Sequence, residues 1–240
     1  MRVIGIIGGM SAESTALYYA RLNSETRRRL GGLHSAKVVI WSVDFAEIEA
    51  MQASGRWDDA GNLLADAAAG LERAGAEMII LATNTMHKVA SQITDAISVP
   101  FLHLADATAE QILAAGYKRP GLIGTRYTME QDFYIGRLRD QFGLDVIVPG
   151  PEDRAEINRI IFDELCKGVI DEGSRSMFIA AAKRVKDAGA DCLILGCTEV
   201  CMLLNVGNSP MPAFDTTLIH VDAALAWALA GYDDQVEAAE

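Results

Sequence analysis

Residues 74–85 read AGAEMIILATNT, and residues 188–199 read AGADCLILGCTE. Each opens on a small-residue turn, runs through four apolar residues and stops at a small polar one. That residue is Thr83 in the first stretch and Cys197 in the second. A short apolar run bounded by turn signals is the pattern of a strand buried on both faces. The two stretches start 114 residues apart, at Ala74 and Ala188. Outside them, Gly5-Ile6-Ile7-Gly8-Gly9 resembles Gly121-Leu122-Ile123-Gly124-Thr125, 116 residues on, and Pro100 and Pro212, 112 apart, each lead into an apolar run. Three matches in one order at nearly one offset indicate an internal repeat.

Around these anchors, strands are predicted at 3–7, 37–43, 78–81, 101–103, 121–123, 145–148, 192–195 and 213–214. Helical patterns fall near 13–30, 58–74, 86–96, 105–115, 130–141, 153–170, 173–188 and 217–230. Such alternation specifies an α/β chain with parallel sheets flanked by helices. The expected organisation is two pseudo-symmetric halves, an N-terminal one over 1–115 and a C-terminal one over 116–211. Segment 212–240 is expected to pack back onto the first half. No Gly/Ser linker separates the halves, so they are expected to pack together. Ligands of open parallel sheets bind beyond the carboxyl ends of the strands. Two halves facing across a pseudo-two-fold axis would bring Thr83 and Cys197 to opposite walls of one cleft.

Bulk composition narrows the function. Of 240 residues half are apolar and 7% aromatic, and 21 Lys and Arg against 33 Asp and Glu give a net charge of −12. That surface repels phosphate backbones and anionic lipid, which argues against nucleic-acid and membrane partners. The one basic run, Arg27-Arg28-Arg29, reads as a solvated helix face. The start, MRVIGIIGGM, lacks the apolar stretch and cleavage site of a secretion signal. No run approaches the ~20 apolar residues of a membrane span. A cytoplasmic location follows as the expectation. Among the four cysteines, Cys192, Cys197 and Cys201 are spaced by four and three residues, which is not a common zinc pattern. No metal site is expected, and Cys192 reads as inert core.

The strand-end loops carry the candidate chemistry. Cys197, between Gly196 and Thr198, precedes a predicted helix, whose first backbone N–H groups would favour a thiolate and lower the pKa from ~8.5. A thiolate there can be a nucleophile or a proton-transfer base. Asn84, Thr85, Thr198 and Glu199 supply donors and acceptors at the same loops, and they are also residues that cap helices. Gly8-Gly9-Met10-Ser11 forms a glycine turn whose amides could meet a carboxylate or phosphate. Its spacing fails the GxGxxG pattern, so a dinucleotide site is not supported. Thr125 and Thr128 are the second-half counterparts. His87 could orient a substrate or pack at a helix start, and His103 and His220 could reach the rim of the cleft.

GIIGGMS, the ATNT loop, the Gly124-Thr125 segment with Thr128, and the GCTE loop together resemble the aspartate/glutamate racemase superfamily, in that family's order and spacing across nearly the whole chain. GGLHSA, SVDF, TNTMHK, GTRYTMEQDFY and FDT look like its branch of broad-specificity or L-aspartate/glutamate-type amino acid racemases. The resemblance implies two flavodoxin-like halves, a homodimer, an amino acid substrate, and catalysis without pyridoxal phosphate or any other cofactor. It implies two cysteines on opposite faces of the substrate, one removing the α-proton and the other returning a proton. Met10, Asn84, Thr85, Thr125, Thr128, Thr198 and Glu199 become candidate substrate contacts. Here the first cysteine position is Thr83, so Cys197 is expected to abstract a proton on one face only. The positions where aspartate racemases carry basic residues align with Gln52 and Cys166, which makes a neutral polar amino acid such as homoserine plausible. The alternatives are a one-cysteine decarboxylase or isomerase of the same superfamily, an amino-acid-binding protein with little turnover, and a hydrolase using Cys197 as acyl nucleophile.

Overall fold

Two buried runs of alternating outlook form the centre of the first sheet. The computed structural model describes residues 1–232; the last eight positions of the segment expected to return lie outside the described residues. Strands β1 (Ile4–Gly8), β2 (Val38–Ser42), β3 (Met78–Leu81) and β4 (Phe101–Leu102) pair in parallel in the order β2-β1-β3-β4. β1 and β3 are buried throughout. Side chains alternate across a strand, so Ile7, Ile79 and Leu81 pack with Leu64, Ala67 and Leu71, whereas Ile4, Ile6, Met78 and Ile80 pack with Tyr18 and Leu22.

The helices on those faces are α1 (Ala12–Leu30), α2 (Phe45–Ala53), α3 (Trp57–Arg73) and α4 (Ala90–Asp95). Ser11 starts α1 by accepting from Ser14 N at 3.2 Å, and Gly31, at φ 75°, ends it. The α2 segment was not predicted. Asp44 caps it, but it buries only Ile48 and Gln52, too few positions to leave a helical period in the sequence.

The second sheet repeats the first. Helices α5 (Leu104–Ala114), α6 (Arg126–Glu130), α7 (Asp132–Phe142), α8 (Pro151–Asp163) and α9 (Glu172–Asp187) accompany β5 (Pro120–Gly124), β6 (Cys192–Gly196) and β7 (Ala213–Asp215), ordered β5-β6-β7 in parallel. Ile4 pairs with Met78 as Pro120 pairs with Cys192, and Ile79 with Phe101 as Leu193 with Ala213. These are the same registers at offsets of 116, 114 and 112. Gly5 and Gly121 occupy one position in the repeat. A Cβ at Gly5 would lie 2.6 Å from Ile79 Cδ1, and one at Gly121 would lie 2.4 Å from Val185 Cγ1. The predicted strand at 145–148 is reduced to one parallel bridge, Gly121 with Ile147, fixed by Leu122 N to Ile147 O at 2.9 Å and Ile147 N to Pro120 O at 2.9 Å. Pro149, which has no N–H, follows directly and cannot extend the ladder.

Helix α10 (Thr216–Leu229) is the last element among the described residues. The chain divides into unit 1, Met1–His103 with the chain from His220, and unit 2, Leu104–Ile219. The first division therefore falls at 103/104 and not at 115/116, because α5 buries Leu104, Ala105, Ala109 and Ile112 in the core of β5 and β6. The return begins at His220 and not at 212, because β7 is the third strand of the second sheet. From α10, Val221, Ala224, Leu225 and Ala228 pack with Ile4 and Ile80. Among the described residues, no helix is long and apolar enough to cross a membrane.

Candidate active site

In unit 1, β3 delivers Thr83 to the carboxyl end of the sheet. Ala82 N donates to Ile7 O at 2.9 Å and Thr83 N to Leu81 O at 2.9 Å, after which Thr85–Val89 form a 3-10 turn. Two side chains hold the carbonyls of this corner. Ser14 Oγ donates to Ala82 O at 3.1 Å, and His87 Nδ1 lies 2.7 Å from Thr83 O. Thr83 is half-buried, with Asn84 and Thr85 buried beside it. Asn84 starts the turn without a side-chain capping bond, so the capping role open to it in the sequence is not the one it plays.

His87 does pack at a helix start. Its ring lies 5.7 Å from Phe101, 4.5 Å from His103 and 6.0 Å from His220, centroid to centroid. His103 and His220, expected near a rim, are buried instead. His220 Nε2 lies 3.0 Å from Leu102 O, and its Nδ1 lies 2.9 Å from Tyr18 Oη. A carbonyl only accepts, so Nε2 carries the proton and Nδ1 accepts from Tyr18. Burial holds the pKa of His220 down to about 4, and this ring stays neutral.

The other unit 1 candidates are engaged by the fold. Gln52 Nε2 donates to Met86 Sδ at 3.0 Å, and Met10 packs in the core with Ile7 and Ile48. In the glycine turn the Gly9 amide is used by the fold, not turned toward an anion. Gly9 N donates to Thr15 Oγ1 at 2.8 Å, and Gly9 is required by its φ of 92° and by Val43 O, which would lie 2.2 Å from a Cβ.

In unit 2, β6 delivers Cys197 at the equivalent place. Its Sγ donates to Glu199 Oε2 at 2.8 Å, and Thr198 Oγ1 donates to the same oxygen at 2.7 Å. The predicted helix after Cys197 is only a 3-10 turn over Glu199–Met202. The expected lowering of the thiol pKa is overturned. Burial and then the Glu199 carboxylate push Cys197 well above the ordinary thiol range, so its resting form is the neutral S–H. A helix dipole too short to matter loses to a formal charge two residues away. Thr125 caps α6, accepting from Thr128 N at 3.4 Å, with the two hydroxyl oxygens 3.2 Å apart. Cys166 lies half-buried against the unit 2 core, and Cys192 is fully buried as expected, its thiol pushed up to about 12 by burial. Among the described residues, no group of three or more His, Cys, Asp or Glu is arranged to hold a metal ion.

Two features were not read from the sequence. One is the Cys-x-Glu pairing of Cys197 with Glu199. The other is that Cys201, 114 residues after His87, repeats its role: Cys201 Sγ donates to Cys197 O at 3.9 Å, as His87 contacts Thr83 O. The second could have been found by carrying the repeat offset past the strand ends, from His87 to Cys201.

The family model described as Asp/Glu/Hydantoin racemase matches residues 7–224. The chain is 24% identical over 221 residues to the broad specificity amino-acid racemase RacX of Bacillus subtilis, covering 90% of this chain and 93% of that protein. Among solved structures, a candidate Asp/Glu racemase from Yersinia pestis is 51% identical with a TM-score of 0.90, covering 95% of this chain and 100% of that one. An aspartate racemase homologue from Pyrococcus horikoshii is 36% identical with a TM-score of 0.82, covering 95% and 99%.

Proposed function

The chain belongs to the Asp/Glu/hydantoin racemase family, and from that premise we propose that it is a cofactor-independent amino acid racemase in which Cys197 serves one face of the substrate Cα and Thr83 the other. The observation that carries this reading is the 2.8 Å contact from the Cys197 thiol to the Glu199 carboxylate, at the strand end where the repeat puts Thr83 in unit 1.

The carboxylate accepts the thiol proton, and the thiolate so formed removes the α-hydrogen: the Cα–H bond breaks, an S–H bond forms, and the electron pair is left on Cα next to the substrate carboxylate. A proton arriving on the opposite face gives the other enantiomer. Neighbouring hydroxyl and amide groups, Asn84, Thr85, Thr125, Thr128 and Thr198 among them, are the candidates to stabilise the carbanion-like state. A threonine hydroxyl is not ionised near neutral pH, so Thr83 acts by holding and relaying a water proton. Turnover is therefore faster from the enantiomer deprotonated at Cys197. Gln52 and Cys166 bring no positive charge, which favours a polar neutral amino acid such as homoserine over aspartate or glutamate. The same reading has the enzyme work as a cytoplasmic homodimer.

The test is chiral chromatography of L- and D-homoserine, aspartate and glutamate after incubation with the protein and with Cys197→Ala. Appearance of the opposite enantiomer with wild type alone supports the reading. Carbon dioxide release from a malonate without inversion would make the protein a decarboxylase, and saturable binding without turnover would make it a binding protein.

A further inference from the structure

We propose that His87 is a positioning residue for Thr83, setting the direction of the Thr83 hydroxyl through its carbonyl; this rests on the racemase reading. Thr83 O accepts from His87 Nδ1 at 2.7 Å, four residues on. The partner is a carbonyl, so Nδ1 must carry the proton. The tautomer is thus fixed by the very group it restrains. The ring in turn is fixed by its packing against Phe101, His103 and His220, and His220 is itself tied to Leu102 O and Tyr18 Oη.

Orientation passes from carbonyl to hydroxyl by simple stereochemistry. Ser14 holds Ala82 O and His87 holds Thr83 O, so the peptide planes on both sides of the Thr83 Cα are restrained. A β-branched side chain has few χ1 choices once its backbone is set, so the hydroxyl goes where the backbone sends it. A water-relaying hydroxyl needs that fixed direction more than a thiolate does, because it must align two proton transfers. The repeat supports this. At the equivalent position Cys201 contacts Cys197 O at 3.9 Å, a weak sulfur donor at long range. The strong, short donor stands behind the hydroxyl, and the weak one behind the thiol.

The experiment follows each enantiomer by proton NMR in deuterated buffer with the full chain and with His87→Asn, His87→Gln and His87→Leu. For the enantiomer deprotonated at Cys197, loss of the α-proton signal reports abstraction, and chiral chromatography of the same samples reports inversion and so delivery at Thr83. An asparagine amide nitrogen occupies the place of Nδ1, and a glutamine amide nitrogen that of Nε2. The expected result is an inversion-to-exchange ratio lowered about tenfold in His87→Gln and His87→Leu, and within about twofold of wild type in His87→Asn, with exchange itself nearly unchanged throughout. An equal ratio in His87→Asn and His87→Gln, or a parallel fall of exchange and inversion in all variants, overturns the role of His87 alone. Wild type showing neither exchange nor inversion sinks the racemase reading and this inference with it.

Discussion

After β3 the chain sets Thr83 four residues before His87; after β6 it sets Cys197 four residues before Cys201. Both loops leave a fully buried strand at the same register and continue as a 3-10 turn. In both, the carbonyl of the first residue meets the side chain of the fourth one on. The backbone is one design used twice, and the chemistry laid on it is not. Unit 2 carries a thiol beside a carboxylate. Unit 1 carries a hydroxyl backed by three buried histidines. Under the racemase mechanism proposed above, the difference separates abstraction from delivery of a proton: one loop holds a group that can ionise, and the other holds a group that can only be aimed.

The comparison breaks hardest at Cys197. Cys197→Ala should lower α-proton exchange by about 10²–10⁴-fold, the usual worth of a positioned acid or base, read by NMR in deuterated buffer. The shared scaffold gives the next effect. Ile80 and Ile194 sit third in β3 and β6, both fully buried. Ile80→Ala and Ile194→Ala should each cost about 2–5 kcal/mol in denaturant unfolding. Costs of similar size would sharpen the equivalence, and a negligible cost at either would break it.

Acid then separates the units. His220 is buried beside Tyr18, His87 and His103, and its pKa falls from 6.5 to about 4. In the unfolded chain it gains a proton below 6.5, whereas the folded protein refuses it until about pH 4. Its contribution is therefore complete above 6.5 and is lost as pH falls through that window, by about 3 kcal/mol. Unfolding midpoints at pH 7 and pH 4.5 check this. His220→Gln should be less sensitive to acid over that span, and equal sensitivity would remove His220 as the cause.

Much of this was legible in the sequence, for identifiable reasons. MIIL and CLIL announce buried strands because every residue is apolar, and the AGAEMIIL and AGADCLIL matches carry the register with them. Thr83 and Cys197 were visible because each ends such a run. The boundaries were not, because α5 reads as an ordinary amphipathic helix and only packing assigns Leu104 and Ile112 to the second core. The pKa direction of Cys197 was misread for a related reason. The sequence shows Glu199 two residues away but not that its carboxylate turns back to 2.8 Å from the sulfur, nor that the helix shrinks to one 3-10 turn. The histidine cluster joins residues 87, 103 and 220, which no local pattern connects.

The separation of the two proton transfers is tested most directly by proton NMR for exchange and chiral chromatography for inversion, both in deuterated buffer, on wild type beside Thr83→Cys, starting from the enantiomer deprotonated at Cys197. In wild type, exchange should outrun inversion, and Thr83→Cys, which makes the two loops alike, should raise the inversion-to-exchange ratio by about tenfold. Wild type inverting as fast as it exchanges, with no change in Thr83→Cys, would contradict the account.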